Sequence, residues 1–217
     1  MMSESVFIQK ISNGLESIQI SPPSHLELKN LYLFHCLLQK WNQKINLTAH
    51  REEMLSLEKN FIDCIILSSI IDFRHLKSII DFGSGAGFPG IVLKILNSKS
   101  IIFLIESDKR KSAFLMTVIR ELNLGGIEVL NEHVQFDVIL NSMNQVDAIV
   151  SRATVQIPCL AKLAEKNLKS KGCLYAMVSQ SDPNCSEEIP FFESPALHDY
   201  LLPFSSIKRR IISYKKK

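Results

Sequence analysis

The sequence has little of what marks disordered, secreted or membrane-spanning chains. Its 217 residues include only 8 glycines and 8 prolines, too few for a long disordered tract. The longest apolar stretch, Phe61 to Phe73, is interrupted by Asp63 and Asp72 and is shorter than the roughly 20 apolar residues of a membrane-spanning helix. No basic segment followed by a continuous apolar run opens the chain, so a secretory signal is not predicted. We therefore expect a cytoplasmic protein without a membrane partner.

Disulfides and metal sites are not predicted either. The five cysteines are scattered, odd in number and without a C-x-x-C pair: Cys36, Cys64, Cys159, Cys173 and Cys185. The six histidines are equally dispersed and form no H-E-x-x-H motif. These spacings argue against a disulfide framework and a zinc site, and they predict reduced thiols and no metal cofactor.

Positive charge is clustered, although the net charge is only +3. The last ten residues hold Lys208–Arg210 and Lys215–Lys217, and Lys109–Lys111 form a third basic group. A solvated tail or a helix start explains any one of these groups. Together they are typical of a protein that contacts phosphate backbones, but charge alone does not decide this.

The spacing of apolar residues changes about one third of the way along the chain. The earlier part has helical spacing, as in the apolar stripe Phe34, Leu37, Leu38 and Trp41. From His75 onward, short apolar runs alternate with amphipathic segments. We therefore predict an N-terminal helical extension over residues 1–73 and a Rossmann-like domain over residues 74–217.

Alternating elements of the second part predict an α/β fold. Strands are predicted at Ser78–Asp81, Ile101–Glu106, Ile127–Asn131, Asp147–Ser151 and Gly172–Val178. Helices are predicted between them at Pro89–Leu96, Lys109–Leu124 and Ile157–Lys169. Such βαβ units form a mostly parallel sheet with helices on both faces. Leu201–Ser206 and Arg209–Lys215 have no helix between them and predict a closing antiparallel hairpin, as in the methyltransferase variant of the doubly wound fold.

A glycine-rich loop follows the first predicted strand and leads into a helix. Its glycines, Gly83, Gly85 and Gly87, have the spacing G-x-G-x-G, whereas the third glycine of a dinucleotide fingerprint would fall at Phe88. Glycines allow a sharp turn and close approach of a ligand, and the helix start is expected to offer N–H groups to an anion. Glu106, 23 residues after Gly83, ends the next strand, where a carboxylate accepts hydrogen bonds from ribose hydroxyls. This order predicts S-adenosyl-L-methionine as cofactor; a nicotinamide cofactor or a turn without ligand are the alternatives.

The motifs that are typical of amino methylation and of pyrimidine C5 methylation indicate which kinds of methyl transfer to expect. No Asn/Asp-Pro-Pro-Tyr motif follows the fourth predicted strand, as amino-methylating enzymes usually have; the nearest similar segment, Asp182-Pro183-Asn184, follows the fifth. Pro158-Cys159 resembles the pair used for pyrimidine C5 methylation, but we interpret Cys159 as a packed helix residue. Transfer to an atom with a free lone pair, such as guanine N7, remains, and it needs positioning rather than a strong base.

Three segments resemble the bacterial RsmG (GidB) family over roughly residues 30 to 217. They are Trp41-Asn42-Gln43-Lys44-Ile45-Asn46-Leu47-Thr48, Asp81-Phe82-Gly83-Ser84-Gly85-Ala86-Gly87-Phe88-Pro89-Gly90 and Val150-Ser151-Arg152-Ala153. The resemblance implies an S-adenosylmethionine-dependent enzyme that methylates guanine N7 in the decoding-region loop of 16S ribosomal RNA. Its expected partner is that RNA or the small ribosomal subunit, and we expect a monomer.

The resemblance also implies site residues. Gly83 and Phe88, with the other loop glycines, should contact the cofactor, and Glu106 should hold its ribose. Val134 and Gln135 should bracket the adenine. Arg152 should lie near the methyl-transfer site as the catalytic residue, where its permanent charge can anchor an RNA phosphate or the cofactor carboxylate. A surface salt-bridge arginine is the alternative.

The chain departs from the family pattern on its RNA side. Asn60 and Cys64 stand where members often have His and Ser, and Gln135 where many have Glu. Val178-Ser179 replaces a lysine-glycine pair, and Lys169, Lys171 or the C-terminal basic hairpin are candidates to supply the lost charge. Two rival functions follow: methylation of another RNA, a protein or a small molecule, and a ribosome-associated protein that binds the cofactor with weak or no turnover.

Overall fold

The computed structural model describes residues 2–48, 52–131, 145–152, 156–180 and 189–217. Its helices are α1 (Glu4–Ser17), α2 (His25–Asn42), α3 (Glu53–Ser56), a π-helix (Leu57–Ile62), α4 (Asp63–Ile70), a 3-10 helix (Phe73–His75), α5 (Gly90–Leu96), α6 (Lys109–Glu121) and α7 (Ile157–Asn167). Its strands are β1 (Ser78–Phe82), β2 (Ile101–Ile105), β3 (Ile127–Leu130), β4 (Val146–Arg152), β5 (Leu168–Ser179), β6 (Ala196–Leu201) and β7 (Lys208–Lys215). Within these described ranges, no helix is both long enough and apolar enough to cross a membrane.

The seven strands form one sheet in the order β3-β2-β1-β4-β5-β7-β6. The first five strands of that order pair in parallel, and β7 pairs antiparallel with both β5 and β6. This confirms the predicted Rossmann-like α/β fold with a closing hairpin. The strand order reverses between β1 and β4, and a crevice at the carboxyl ends of the strands is where such sheets bind ligands.

Local signals explain where the N-terminal helices begin. The Ser3 side chain caps α1 by accepting the Val6 N–H at 3.4 Å. At the start of α2, Glu27 N–H donates to Ser24 Oγ at 3.3 Å and Ser24 N–H donates to Glu27 Oε2 at 2.7 Å, a reciprocal capping box. Of the predicted apolar stripe, Phe34 is fully buried and Trp41 is partly buried.

Alternation along the strands divides the core into two clusters, one on each face of the sheet. Ile79 faces a cluster that includes side chains of α1, α2, α4, α5 and α6, whereas Ile80 faces a cluster that includes α7. The N-terminal helices therefore share one hydrophobic core with a face of the sheet. The division into an extension and a domain, drawn at residue 73, remains a prediction.

The first strand of the hairpin was predicted wrongly. The structure places it at Ala196–Leu201, so of the segment predicted as a strand only Leu201 belongs to β6, and residues 202–206 form the turn into β7. In this turn Leu202 N–H donates to Ile207 O, Ser206 N–H donates to Leu202 O, and Ser206 has a φ of +54°. Pro203 has no N–H to give to a ladder, so the apolar residues around it predicted a strand that the backbone does not continue.

Candidate functional site

The glycine loop lies between β1 and α5, at the carboxyl edge of the sheet. All three of its predicted glycines have positive φ, +73° at Gly83, +57° at Gly85 and +90° at Gly87, which strains any other residue type. Among the described residues, a Cβ built on Gly85 would meet only the Gly83 carbonyl oxygen, at 3.9 Å. A Cβ on Gly87 would lie 2.7 Å from Ile91 Cγ1. Gly85 therefore leaves open space at the crevice, whereas Gly87 is required for packing beneath the loop.

The N–H groups of the loop are largely used inside the protein. Gly83 and Ser84 both donate to Ile105 O at 3.0 Å, which ties the loop to the end of β2. Gly90, the first residue of α5, donates to Asp81 Oδ2 at 2.9 Å. The expectation that the helix start offers free N–H groups to an anion is therefore wrong at Gly90, because a neighbouring carboxylate takes that donor.

Glu106 is held rigidly beside the loop, directly after β2. Its Oε2 accepts the Gly85 N–H at 2.7 Å, and its Oε1 accepts the Asp108 N–H at 2.8 Å. The residue is 7% exposed. A carboxylate oxygen accepts more than one hydrogen bond, so both oxygens retain capacity for hydroxyl donors in the crevice.

Asp81 is a functional candidate that the sequence analysis missed. It is fully buried at the end of β1, and among the described residues its Oδ1 has no hydrogen-bond partner. Burial raises the pKa of this carboxyl to about 7, although the Ser84 hydroxyl and the Gly90 N–H each lower it. The signal that would have found it is an acidic residue near the end of an apolar strand, two residues before the first loop glycine.

Arg152 ends β4, next to β1 in the sheet, and its side chain reaches the N-terminal helices. Its Nη1 donates to Lys59 O at 2.6 Å and its Nη2 donates to Asn60 Oδ1 at 3.1 Å. Its guanidinium carbon lies 5.2 Å from the centre of the Phe88 ring, within cation–π range. The structure thus brings together Arg152, the loop residue Phe88 and the π-helix.

Phe88 itself is 2% exposed and belongs to an aromatic cluster under the loop. Its ring centre lies 4.9 Å from that of Phe34, stacked, and 5.2 Å from that of Phe61, edge-on. The ring packs between the loop and the N-terminal helices. Its contact with a cofactor stays a prediction. The two residues predicted at the adenine, Val134 and Gln135, lie outside the described residues.

The basic groups divide between two edges of the sheet. Antiparallel pairing of β7 with β5 places Lys208–Arg210 at the carboxyl edge with Arg152, but places Lys215–Lys217 at the opposite edge. Lys169 and Lys171 lie at that opposite edge too, because β5 begins at Leu168. The expectation that Lys169 and Lys171 replace the charge lost at Val178-Ser179 is therefore wrong, whereas the start of β7 lies at the same edge as Val178 and Ser179.

Two cysteines in the described part of the chain, Cys64 and Cys159, differ in burial. Cys159 lies exposed on α7, so its interpretation as a packed residue is wrong. Its neighbours Ile157 and Leu160 carry the buried face of that helix instead. Cys64 is fully buried, and this burial raises the pKa of its thiol far above the ordinary range, which keeps it protonated.

Comparison with known proteins identifies the family. A family model described as rRNA small subunit methyltransferase G matches residues 27–193. Ribosomal RNA small subunit methyltransferase G of Clostridium tetani is 37% identical over 157 residues, which are 72% of this chain and 64% of that protein. The chain thus spans just under two thirds of that relative. The same-named protein of Acetivibrio thermocellus is 32% identical over 196 residues, 88% of this chain and 81% of that protein.

Solved structures support the fold. An O-methyltransferase from Bacillus cereus, solved in complex with SAH, superposes with a TM-score of 0.64 over 99% of this chain and 100% of that one. Its sequence is 15% identical, so this likeness concerns the fold alone. The family model and the curated relatives together show that the chain belongs to the rRNA small subunit methyltransferase G family.

Proposed function

We propose that this chain transfers the methyl group of S-adenosyl-L-methionine to N7 of a guanine in the decoding-region loop of 16S ribosomal RNA. The observation that carries the proposal is the crevice at the glycine loop. There Gly85 donates its N–H to Glu106 Oε2, and the strand that leads into the loop carries Asp81, whose Oδ1 has no hydrogen-bond partner among the described residues. Family membership supplies the class of substrate.

The residues present fit this cofactor. Glu106 accepts ribose hydroxyls, and Asp81 Oδ1 accepts the ammonium group of the amino-acid end, a cation that would satisfy a buried carboxylate. Gly85 leaves room where a side chain would stand. When bound, the cofactor supplies an electrophilic methyl group on a positively charged sulfur.

The chemistry required of the protein is mainly positioning. Guanine N7 has a lone pair and no proton at neutral pH, so the chain needs no general base. Holding two reactants in line contributes roughly 7–11 kcal/mol to such a reaction. A site that holds a carboxylate against the loop and an arginine against Phe88 fits this requirement.

Arg152 is the proposed catalytic-site residue. It is a permanent cation held against Phe88, at the edge where β4 ends beside β1. A guanidinium there can anchor an RNA phosphate or the cofactor carboxylate. The start of β7 adds Lys208, which is exposed at the same edge, so the RNA backbone has cationic partners beyond the crevice.

Labelled methyl transfer tests the function. The chain is incubated with S-adenosylmethionine carrying a tritiated methyl group and with small-subunit particles or naked 16S RNA, and the product nucleosides are separated. We expect label in N7-methylguanosine at one decoding-region site. Label in another nucleoside, or only in protein, would show that the assigned substrate is wrong.

The Val178-Ser179 departure favours one second candidate, a ribosome-associated protein that binds the cofactor with weak or no turnover. Both residues end β5 at the carboxyl edge, where the family pattern has a lysine. Calorimetric binding of S-adenosylhomocysteine, together with no label in RNA, would support that candidate over the enzyme.

A further inference from the structure

We propose that the π-helix Leu57–Ile62 and the side chain of Asn60 are a positioning device for Arg152. The inference rests on the proposed function, since it gives Arg152 a part in methyl transfer. Asn60 does not touch the crevice glycines in any described contact; it acts through the arginine. It is therefore a positioning residue, not a catalytic one.

The backbone of the π-helix provides the first contact. In an α-helix the Asp63 N–H would donate to the Lys59 carbonyl, four residues earlier, but here it donates to the Glu58 carbonyl, five residues earlier. The Lys59 carbonyl oxygen thereby loses its ordinary helical donor. It accepts instead from Arg152 Nη1, at 2.6 Å. Turns of this kind occur often at functional sites.

Asn60 provides the second contact and is itself held in place. It is 2% exposed, its Oδ1 accepts from Arg152 Nη2 at 3.1 Å, and its Nδ2 donates to Ser56 Oγ at 3.1 Å. Because a guanidinium only donates hydrogen bonds, the arginine fixes the amide with its oxygen toward the guanidinium, and the Ser56 hydroxyl accepts from the other end. Two neighbouring acceptors on one helix therefore set the plane of the guanidinium, and the Phe88 ring lies 5.2 Å from its carbon.

The π-helix is also held in place by contacts with the β6–β7 hairpin. Glu58 Oε1 accepts the N–H groups of Phe204 and Ser205 in the hairpin turn, at 2.6 and 3.0 Å. Asp63, which follows the π-helix, forms an ion pair with Arg209 of β7 at 3.0 Å. The helix that holds Arg152 is therefore itself held by the hairpin. These contacts restrict the guanidinium to a narrow range of positions.

A double-mutant cycle on methyl transfer tests this. Asn60→Ala should lower kcat/KM by about tenfold, because a hydrogen bond to a charged group is lost. In an Arg152→Ala background the same change should cause no further loss, since it acts only through that residue. Asn60→Asp, which keeps an acceptor for the guanidinium, should retain most of the wild-type rate. Asn97→Ala is the matched control, since Asn97 Nδ2 also donates to a serine hydroxyl, that of Ser100, at the far edge of the sheet.

A second readout needs no turnover and separates this proposal from the assigned function. In protein with ¹⁵N-labelled arginine, the Nη protons of Arg152 should give separate, slowly exchanging signals that collapse in Asn60→Ala. Arg110, whose side chain is 75% exposed, supplies the averaged reference signal, and Arg152→Lys assigns the resonance. Arg152 signals averaged like those of Arg110 in the wild type would overturn the proposal, as would equal activity of Asn60→Ala and wild type. Absent methyl transfer with slow Arg152 signals would instead contradict the proposed function and support the positioning device.

Discussion

At the residue scale, Gly85 and Gly87 need a hydrogen side chain for different reasons. Alanine at either position adopts a positive φ, which costs about 1–2 kcal/mol of unfolding free energy. At Gly87 the added Cβ also meets Ile91 Cγ1 at 2.7 Å, so Gly87→Ala should be clearly the less stable protein. Gly85→Ala should fold but lose affinity for S-adenosylhomocysteine, because the Cβ occupies the crevice. Thermal unfolding and calorimetric titration measure the two effects; wild-type affinity in Gly85→Ala would mean that the ligand does not approach this loop.

The raised pKa of Asp81 predicts a proton released on cofactor binding. At about 7, against an ordinary 3.8, the carboxyl of the free protein is substantially protonated near neutral pH. An ammonium group against Oδ1 favours the ionised form and lowers this pKa, so a proton leaves and affinity rises as the pH increases through about 7. Titrations in buffers of different ionisation enthalpy should give different observed enthalpies, and Asp81→Asn should abolish the difference and weaken binding. Identical enthalpies in all buffers for the wild type would contradict this placement of the ammonium group.

At the element scale, a buried polar cluster ties the hairpin to the N-terminal helices. Asp63 is 2% exposed, pairs with Arg209, and accepts the Tyr200 hydroxyl at 2.5 Å. Asp63→Ala leaves a buried arginine without its partner and should lower the unfolding free energy by about 3–5 kcal/mol. Tyr200→Phe removes one donor and keeps the ion pair, so it should cost only about 1–2 kcal/mol. Denaturant unfolding gives both values, and equal losses in the two variants would show that the ion pair is not what joins these elements.

Elements differed in how well the sequence predicted them, for physical reasons. The parallel strands were predicted to within a few residues, because strands covered on both faces are continuous apolar runs. Strand β6 is an edge strand whose apolar side chains Leu197 and Leu201 are exposed, so its apolar positions do not mark a buried face. The π-helix was not predicted, since a shift of hydrogen bonds by one residue has no signature in composition.

The residues of the site also differ in how well the sequence predicted them. The glycines, Glu106 and their spacing are local in the chain, and the structure places Glu106 against Gly85. The contacts of Arg152 with Lys59 and Asn60 join residues more than 90 positions apart, and no pattern within a single sequence predicts contacts at that separation. Asp81 was overlooked although its place before the loop was visible.

At the scale of the whole molecule, stability should depend on pH through a buried histidine. His35 is fully buried among the N-terminal helices; its Nε2 lies 3.3 Å from Glu53 Oε1, and its Nδ1 has no described partner. Burial lowers the pKa of His35 below its ordinary 6.5, so the unfolded chain binds the proton more readily. The stability contributed by neutral His35 is therefore present above pH 6.5 and is lost as the pH falls through the lowered folded value.

Denaturant unfolding between about pH 7.5 and 5.5 measures this loss in an Asp81→Asn background, because the raised pKa of Asp81 gives a dependence of opposite sign in the same range. His35→Phe keeps an aromatic ring in contact with Phe7 and Phe61 and should flatten the dependence. An unchanged slope in this variant would assign the pH dependence to other groups.

Ribosomes from cells that lack this chain give the most direct test of the proposed methyl transfer. Small-subunit RNA is digested to nucleosides and to mapped fragments, and N7-methylguanosine in the decoding-region loop is quantified by mass spectrometry. We expect this one methyl group to be absent, to return with the wild-type chain, and not to return with Gly85→Val, whose branched side chain fills the crevice. An unchanged amount of N7-methylguanosine in the deletion strain, or full restoration by Gly85→Val, would contradict the proposed methyl transfer.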